Sequence, residues 1–160
     1  MSVFFCPQCR SAFSSAQLCP NCKVTADSRA ESYVEKLLDT VLSKETSRAG
    51  MAVDVLTKLL HEPRAIVPLT MLLDRMGNPY PLVIGARGLG WLGDKAAVPA
   101  LAKLLVNENQ PYVARVAAVE ALGQIGGEES IEVLKEAERS RRPSVTEAAS
   151  RTLEKLLSTK

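Results

Sequence analysis

The amino-acid sequence predicts an all-α fold of about four stacked helical hairpins, preceded by a small cysteine-rich module. Apolar residues in the longer part of the chain recur with the 3.6-residue period of a helix. Pro79, Pro111 and Pro143 are each 32 residues apart, a constant spacing that is typical of stacked helical pairs. The module is set apart because all four cysteines fall within the first 22 residues. The predicted boundaries are 1–26 for the module and 28–160 for the helical stack.

Composition and charge are those of an ordinary globular protein. The chain has 160 residues, of which 46% are hydrophobic and 24% are charged. No apolar run approaches the roughly 18 residues of a membrane-spanning helix, and the start MSVFFCPQC lacks the basic and apolar regions of a signal peptide. We therefore expect a cytoplasmic protein that does not associate with a membrane. The formal net charge of +2 is too small to attract nucleic acid over the whole surface.

The cysteines form two C-P-x-C motifs, CPQC (Cys6, Cys9) and CPNC (Cys19, Cys22). A gap of two residues lets both thiolates of a pair bind one ion, and two such pairs complete a tetrahedral site. A module of about 25 residues buries too little surface to fold unaided, so a bound metal would supply its stability. A redox dithiol or two disulfides are the alternatives, and no signal peptide supports an oxidising compartment. We predict one structural Zn²⁺ bound by the four cysteines.

From Phe4 to Lys23 the chain resembles the short zinc-ribbon family, whose members carry two C-P-x-C motifs about ten residues apart. Members of that family often have glycine after each second cysteine, where this chain has Arg10 and Lys23. The resemblance implies a structural zinc site and no particular function.

The hairpins share a set of apolar positions, which coincide when the repeats are aligned with a shift of one residue between copies. The rows that coincide are Leu56, Leu89, Leu122 and Leu153; Leu59, Leu92, Ile125 and Leu156; and the small residues Ala52, Gly85, Ala118 and Ala149. Rows of small and large apolar residues allow neighbouring helices to approach and interlock. The predicted hairpins are 29–61, 64–93, 95–126 and 128–157.

The stretch GLGWLG, residues 88–93, matches the G-x-G-x-x-G pattern of dinucleotide-binding proteins. That pattern requires a preceding strand, whereas GLGWLG aligns with ALGQIG at 121–126, which follows a helical sequence. We therefore expect no nucleotide site. Gly85 and Gly88 are predicted to be close-packing positions in a helix, and Gly93 and Gly126 are predicted to be C-terminal caps.

The repeats resemble the HEAT family, most closely the short variety that is also found in phycobilin lyases. The segments that carry the resemblance are AVPALAKLL, IEVLKEA, ARVAAVEALGQIG and GARGLGWLG, within about Thr46 to Leu157. The resemblance implies a right-handed stack whose second helices form a concave binding face. It supplies no catalytic residue to carry over, and the repeat alone does not imply chromophore attachment.

The sequence contains no recognisable set of catalytic residues. The only histidine, His61, ends a helix before Glu62 and Pro63, where it can interact with the last carbonyl groups. The adjacent acids Glu128 and Glu129 open a helix, where negative charge complements the helix dipole. We therefore expect a protein that is not an enzyme and that acts as an adaptor for a protein partner.

The predicted partner surface is centred on Trp91 and Arg87, one helical turn apart. Aromatic and arginine side chains dominate binding hot spots, and the residues that align with Trp91 in the other repeats are polar. Tyr80, Tyr112 and Arg115 complete the predicted surface. Alternatively, the indole is covered internally, by the phenylalanine-rich module or by a cation–π contact with Arg87.

The basic run Arg139, Ser140, Arg141 and Arg142 supports a second class of function. Arginines at the end of a helix can bind phosphates, and they can equally interact with the terminal carbonyl groups. Nucleic-acid binding through this run and the zinc module is therefore the alternative to a protein partner.

Overall fold

The architecture is that of a computed structural model, which describes residues 4–5, 12–13, 27–42, 46–74, 78–139 and 143–158. The strands and helices are β1 (Phe4–Phe5), β2 (Ala12–Phe13), α1 (Asp27–Leu42), α2 (Thr46–Asp54), α3 (Ile66–Leu73), α4 (Pro79–Leu92), α5 (Val98–Val106), α6 (Tyr112–Ile125), α7 (Gly127–Glu138) and α8 (Pro143–Ser158). Helix α2 continues as a π-helical turn, Val55–Leu59, and short 3₁₀ turns, Pro63–Ala65 and Lys95–Ala97, lead into α3 and α5. From residue 27 onward every described element is helical.

The two short strands pair antiparallel, with Phe4 opposite Phe13 and Phe5 opposite Ala12. The first C-P-x-C motif lies between them in the sequence. All four cysteines, Cys6, Cys9, Cys19 and Cys22, lie outside the described residues. Zinc binding therefore stays a prediction.

The repeated prolines mark helix starts, as the sequence predicts. Pro79 and Pro143 are the first residues of α4 and α8, and Pro111 is the residue before the first turn of α6. Proline has no amide hydrogen to lose there, and its fixed φ suits a helix start. The Asn78 side chain adds a cap at α4 by accepting a 3.0 Å hydrogen bond from the Tyr80 amide.

The helices pack as an α-solenoid of hairpins. The first helices of the hairpins, α1, α3, α5 and α7, form one layer, and the second helices, α2, α4, α6 and α8, form the other. Contact between neighbouring second helices is extensive, above all between α4 and α6, and contact between neighbouring first helices is sparser. The second helices therefore lie side by side as a continuous surface.

The predicted leucine row and small-residue row are confirmed as core. Leu56, Leu89 and Leu122 are completely buried, Leu153 is nearly so, and Ala52, Gly85, Ala118 and Ala149 are all buried. Burial of each leucine contributes roughly 1.5–3 kcal/mol to stability.

Leu59 departs from the prediction, because its side chain is 74% exposed whereas Leu92, Ile125 and Leu156 are half-buried. The cause is the π-helical turn, in which the Leu60 amide donates to the Val55 carbonyl five residues earlier, at 3.0 Å. One extra residue in a turn rotates the following side chains by about a quarter of a revolution. The rotation carries Leu59 out of the core.

The glycines of GLGWLG belong to a single helix, α4, and its cap. A Cβ on Gly88 would lie 2.8 Å from Val53 Cγ1, and one on Gly85 would lie 3.1 Å from the Leu69 carbonyl oxygen, so both are close-packing positions as predicted. Gly93 has a φ of 67°, and its amide donates to the Leu89 carbonyl at 3.2 Å. Gly126 has a φ of 65° and caps α6 in the same role. The described residues that lead directly into the motif, from Pro79 onward, form helix α4 and not a strand.

Candidate functional site

The outward side of the second helices carries two rows of equivalent residues, one helical turn apart. The rows are Asp54, Arg87, Glu120 and Arg151, and Lys58, Trp91, Gln124 and Lys155. All are exposed except Trp91, which is half-buried. We call the side of the stack that carries these rows the second-helix face.

Trp91 is covered on one side by a neighbouring repeat. The Lys58 ammonium nitrogen lies 3.7 Å from the centroid of the Trp91 ring. The same nitrogen lies 3.0 Å from Asp54 Oδ1, which fixes the lysine over the indole. Such a cation–π contact contributes about 0.5–1 kcal/mol near a surface. The cation is Lys58 from the preceding hairpin, whereas the sequence suggested Arg87 on the same helix.

Two of the four charges in the first row pair within their own helices, and among the described residues none of the four pairs with a charge on a neighbouring helix. Asp54 pairs with Lys58, and Arg151 pairs with Glu147, in both cases four residues apart on one helix. Arg87 and Glu120 are exposed, and neither has an ion-pair partner within the described ranges. Two opposite charges on adjacent helices are therefore available to a ligand.

Four exposed apolar side chains lie on the same face, on the N-terminal side of the first row. They are Met51 (64% exposed), Tyr80 (45%), Tyr112 (49%) and Val113 (51%), and we call them the apolar strip. The Tyr80 hydroxyl lies 2.9 Å from the point that a Cβ on Gly50 would occupy, so Tyr80 extends from α4 onto α2. The strip crosses α2, α4 and α6. The sequence prediction included its two tyrosines, but not Met51 or Val113.

Arg115 is placed apart from the other predicted partner-binding residues. It occupies the position that the fully buried Leu82 holds one repeat earlier, on the side of α6 that carries the buried Val119 and Leu122. Its Nε is buried and has no hydrogen-bond partner among the described residues. The alignment with Leu82 was the signal in the sequence that this arginine points into the stack.

Two equivalent grooves lie between successive first helices, and sequence reasoning did not single them out. In the groove between α3 and α5, Lys103 Nζ lies 2.8 Å from Asp74 Oδ1. One repeat later, between α5 and α7, the equivalent positions hold Val106 and Glu136, and the groove has a volume of about 390 Å³.

The Glu62 carboxylate is held by hydrogen bonds from Arg64 at the turn before α3. Arg64 donates from Nε to Glu62 Oε1 at 2.9 Å and from Nη2 to Oε2 at 3.1 Å, and its amide also donates to Oε1 at 3.2 Å. These hydrogen bonds hold the pKa of the Glu62 carboxyl below its ordinary value, against a smaller opposing effect of burial. Glu62 thereby caps the turn that leads into α3. The neighbouring His61 is exposed and has a φ of 48°.

The remaining predicted positions fall partly outside the structure. Arg139 is exposed at the end of α7, and Ser140, Arg141 and Arg142 lie outside the described residues. The described ranges contain no group of three or more histidine, cysteine, aspartate or glutamate side chains that could hold a metal ion. None of the described helices combines the length and apolar character that a bilayer span requires.

Comparisons with known proteins identify the repeats. The family model of HEAT repeats matches residues 66–154, more than half of the chain. Among solved structures, human deoxyhypusine hydroxylase in complex with glycerol aligns with a TM-score of 0.67 and 23% sequence identity. The alignment covers 78% of this chain and 43% of that one, so this chain spans less than half the length of its structural neighbour. A search of curated proteins found no match.

The structural neighbour corrects the prediction that this chain is not an enzyme. Deoxyhypusine hydroxylase is an enzyme, and its chain shares this fold. The prediction was wrong because it took the lack of a local catalytic motif in a helical repeat as an argument against catalysis. One fold can host many functions, including enzymatic ones. Fold and sequence match agree on the architecture: the chain belongs to the HEAT-repeat family.

Proposed function

We propose that the repeats bind a protein partner across the second-helix face, with Trp91 and Arg87 at its centre and Tyr80 and Tyr112 beside them. HEAT repeats generally mediate protein–protein interactions. We further propose that the stack is right-handed, with short repeats of the phycobilin-lyase type, and that this face is its concave side. Solenoids of this kind bind their partners on extended concave surfaces.

The observation that carries the proposal is the combination of exposed apolar residues with an unpaired arginine on one continuous surface. Tyr80 and Tyr112 are about half exposed, and Arg87 has no ion-pair partner among the described residues. Trp91 is already held against Lys58, so little side-chain entropy is lost when a partner covers its exposed part. Aromatic anchors beside arginine are the composition of binding hot spots.

The test is affinity capture from cell extract with quantitative mass spectrometry, comparing the intact chain with Trp91→Ala and Arg87→Ala. Tyr33→Ala is the matched control, because Tyr33 is an exposed aromatic residue on α1 in the other layer. Partners that bind the second-helix face should be lost with Trp91→Ala and Arg87→Ala and retained with Tyr33→Ala. Equal capture by all the variants would refute the proposal.

We also propose one structural zinc ion bound by Cys6, Cys9, Cys19 and Cys22. Four thiolates in two C-P-x-C motifs are a donor set that suits tetrahedral zinc. The proposal places the protein in a reducing compartment such as the cytoplasm, where thiols stay reduced. Elemental analysis should give one zinc per chain, and Cys22→Ser should lower that content. A purified chain without zinc would contradict it.

Nucleic-acid binding through Arg139–Arg142 is the alternative, and the exposure of Arg139 supports it. Titration with DNA and RNA at two salt concentrations separates the two functions. Affinity that depends on phosphate contacts falls steeply with added salt.

A further inference from the structure

The apolar strip has members on three neighbouring helices. Met51 lies on α2, Tyr80 on α4, and Tyr112 and Val113 on α6. Packed helices of this kind lie about 8–10 Å apart. A ligand that contacts the whole strip must therefore present apolar side chains at intervals of about 10 Å.

This interval matches an α-helix better than an extended peptide. Residues seven positions apart lie on one side of a helix, about 10.5 Å apart along its axis. Side chains on one side of an extended strand are about 6.6 Å or 13 Å apart. A helix with apolar residues at heptad spacing therefore places one side chain on each of α2, α4 and α6.

The unpaired charges lie at the edge of the surface that such a helix would cover. Arg87 follows Tyr80 by seven residues, and Glu120 follows Val113 by seven residues, so both charges lie two turns from the strip. The distance is about 10 Å, and a helix with its side chains extends about 5–6 Å to each side of its axis. The flank side chains of the bound helix and those of Arg87 and Glu120 together span the remaining gap. Charges on the flank of a bound helix would meet a cation on α4 and an anion on α6.

Resting on the proposed function, we infer that one segment of the partner is an amphipathic α-helix that lies across α2, α4 and α6, beside the Trp91 and Arg87 centre of the proposed surface. It carries apolar residues at heptad spacing. One flank carries an acidic residue that faces Arg87 and, seven residues away, a basic residue that faces Glu120.

The experiment uses two synthetic helical peptides of about 21 residues, long enough to cross three helices. Both carry the apolar heptad residues, and the second differs from the first by the exchange of the acidic and basic flank residues. Binding to the full chain is measured by fluorescence anisotropy for the wild type and for the double variant Arg87→Glu/Glu120→Arg. Both substituted positions are exposed, and circular dichroism checks that the variant is folded.

The wild type should bind one peptide about fivefold more tightly than the other, and the double variant should reverse that preference. Met51→Asp should weaken both complexes, because it places a charge in the strip. Equal affinity for the two peptides, or a preference that the double variant does not reverse, overturns the inference. If neither peptide binds while Trp91→Ala still abolishes partner capture, the helical partner is wrong and the proposed function stands.

Discussion

Ser130 provides the sharpest test of the packing. Its side chain is completely buried near the start of α7, and its hydroxyl has no hydrogen-bond partner among the described residues. The equivalent positions in the two preceding repeats are Ala65 and Ala97, and both are completely buried. The change Ser130→Ala therefore restores the residue that the repeat uses elsewhere.

Removal of the hydroxyl should stabilise the protein. A buried hydroxyl without a partner costs about 1–3 kcal/mol, and alanine is the better helix former by up to about 0.5 kcal/mol. Loss of the few contacts of one oxygen atom offsets part of this gain. We expect a net stabilisation of about 1–2 kcal/mol, which raises the Tm by roughly 2–8 °C for a chain of this size.

Ser150→Ala is the matched control. The Ser150 hydroxyl, on α8, donates a 2.7 Å hydrogen bond to Glu138 Oε1, so the same substitution at this position removes an existing hydrogen bond. The gain in helix propensity is common to both variants and cancels in the comparison. Chemical denaturation followed by circular dichroism should rank Ser130→Ala above the wild type, and Ser150→Ala at or below it. A Ser130→Ala protein no more stable than the wild type would refute the reasoning.

Three further predictions concern α4 and the turn before α3. Gly90→Ala should be less stable than Gly50→Ala by about 1–3 kcal/mol in denaturation, because a Cβ on Gly90 would lie 2.9 Å from the Ala121 backbone. The atom nearest to a Cβ on Gly50 is the hydroxyl oxygen at the end of the exposed Tyr80 side chain, which can move away. Equal stability of the two variants would contradict this. Glu62→Gln should lower the Tm at neutral pH, because it removes the charge that Arg64 stabilises. The difference from the wild type should shrink as the pH falls through the depressed pKa of Glu62, because protonation removes the same stabilisation from the wild type. A difference in Tm that does not change with pH would contradict this. Gly93→Ala should lower the Tm because its φ of 67° disfavours a side chain, and an unchanged Tm would show that the cap tolerates one.

Periodicity in the sequence was sufficient to predict the helices and most of the core. Leu56, Leu89 and Leu122 are buried because a helix that packs on both neighbours must repeat its apolar side at fixed intervals. Leu59 was predicted wrongly because the π-helical turn depends on hydrogen bonds that leave no trace in the apolar pattern.

The site was predictable to a smaller extent. Trp91 lies on the predicted side of its helix, but its cation comes from another helix, and such contacts depend on the register between repeats. The repeat alignment does place Lys58 and Trp91 at equivalent positions, so the pairing could have been inferred from it. Enzymatic activity could not be decided, since residues from distant repeats can meet without a local motif.

The contact between Lys58 and Trp91 joins the first hairpin to the segment that matches the family model, which begins at residue 66. In a linear array each unit is held only by its neighbours, so the end units are the first to fray. Opening of the first hairpin would move Lys58 and Met51 away from α4 together, and the Trp91 indole would become more exposed to solvent. The fluorescence emission of Trp91, the only tryptophan in the chain, should therefore report the opening of the first hairpin separately from the unfolding of the whole stack.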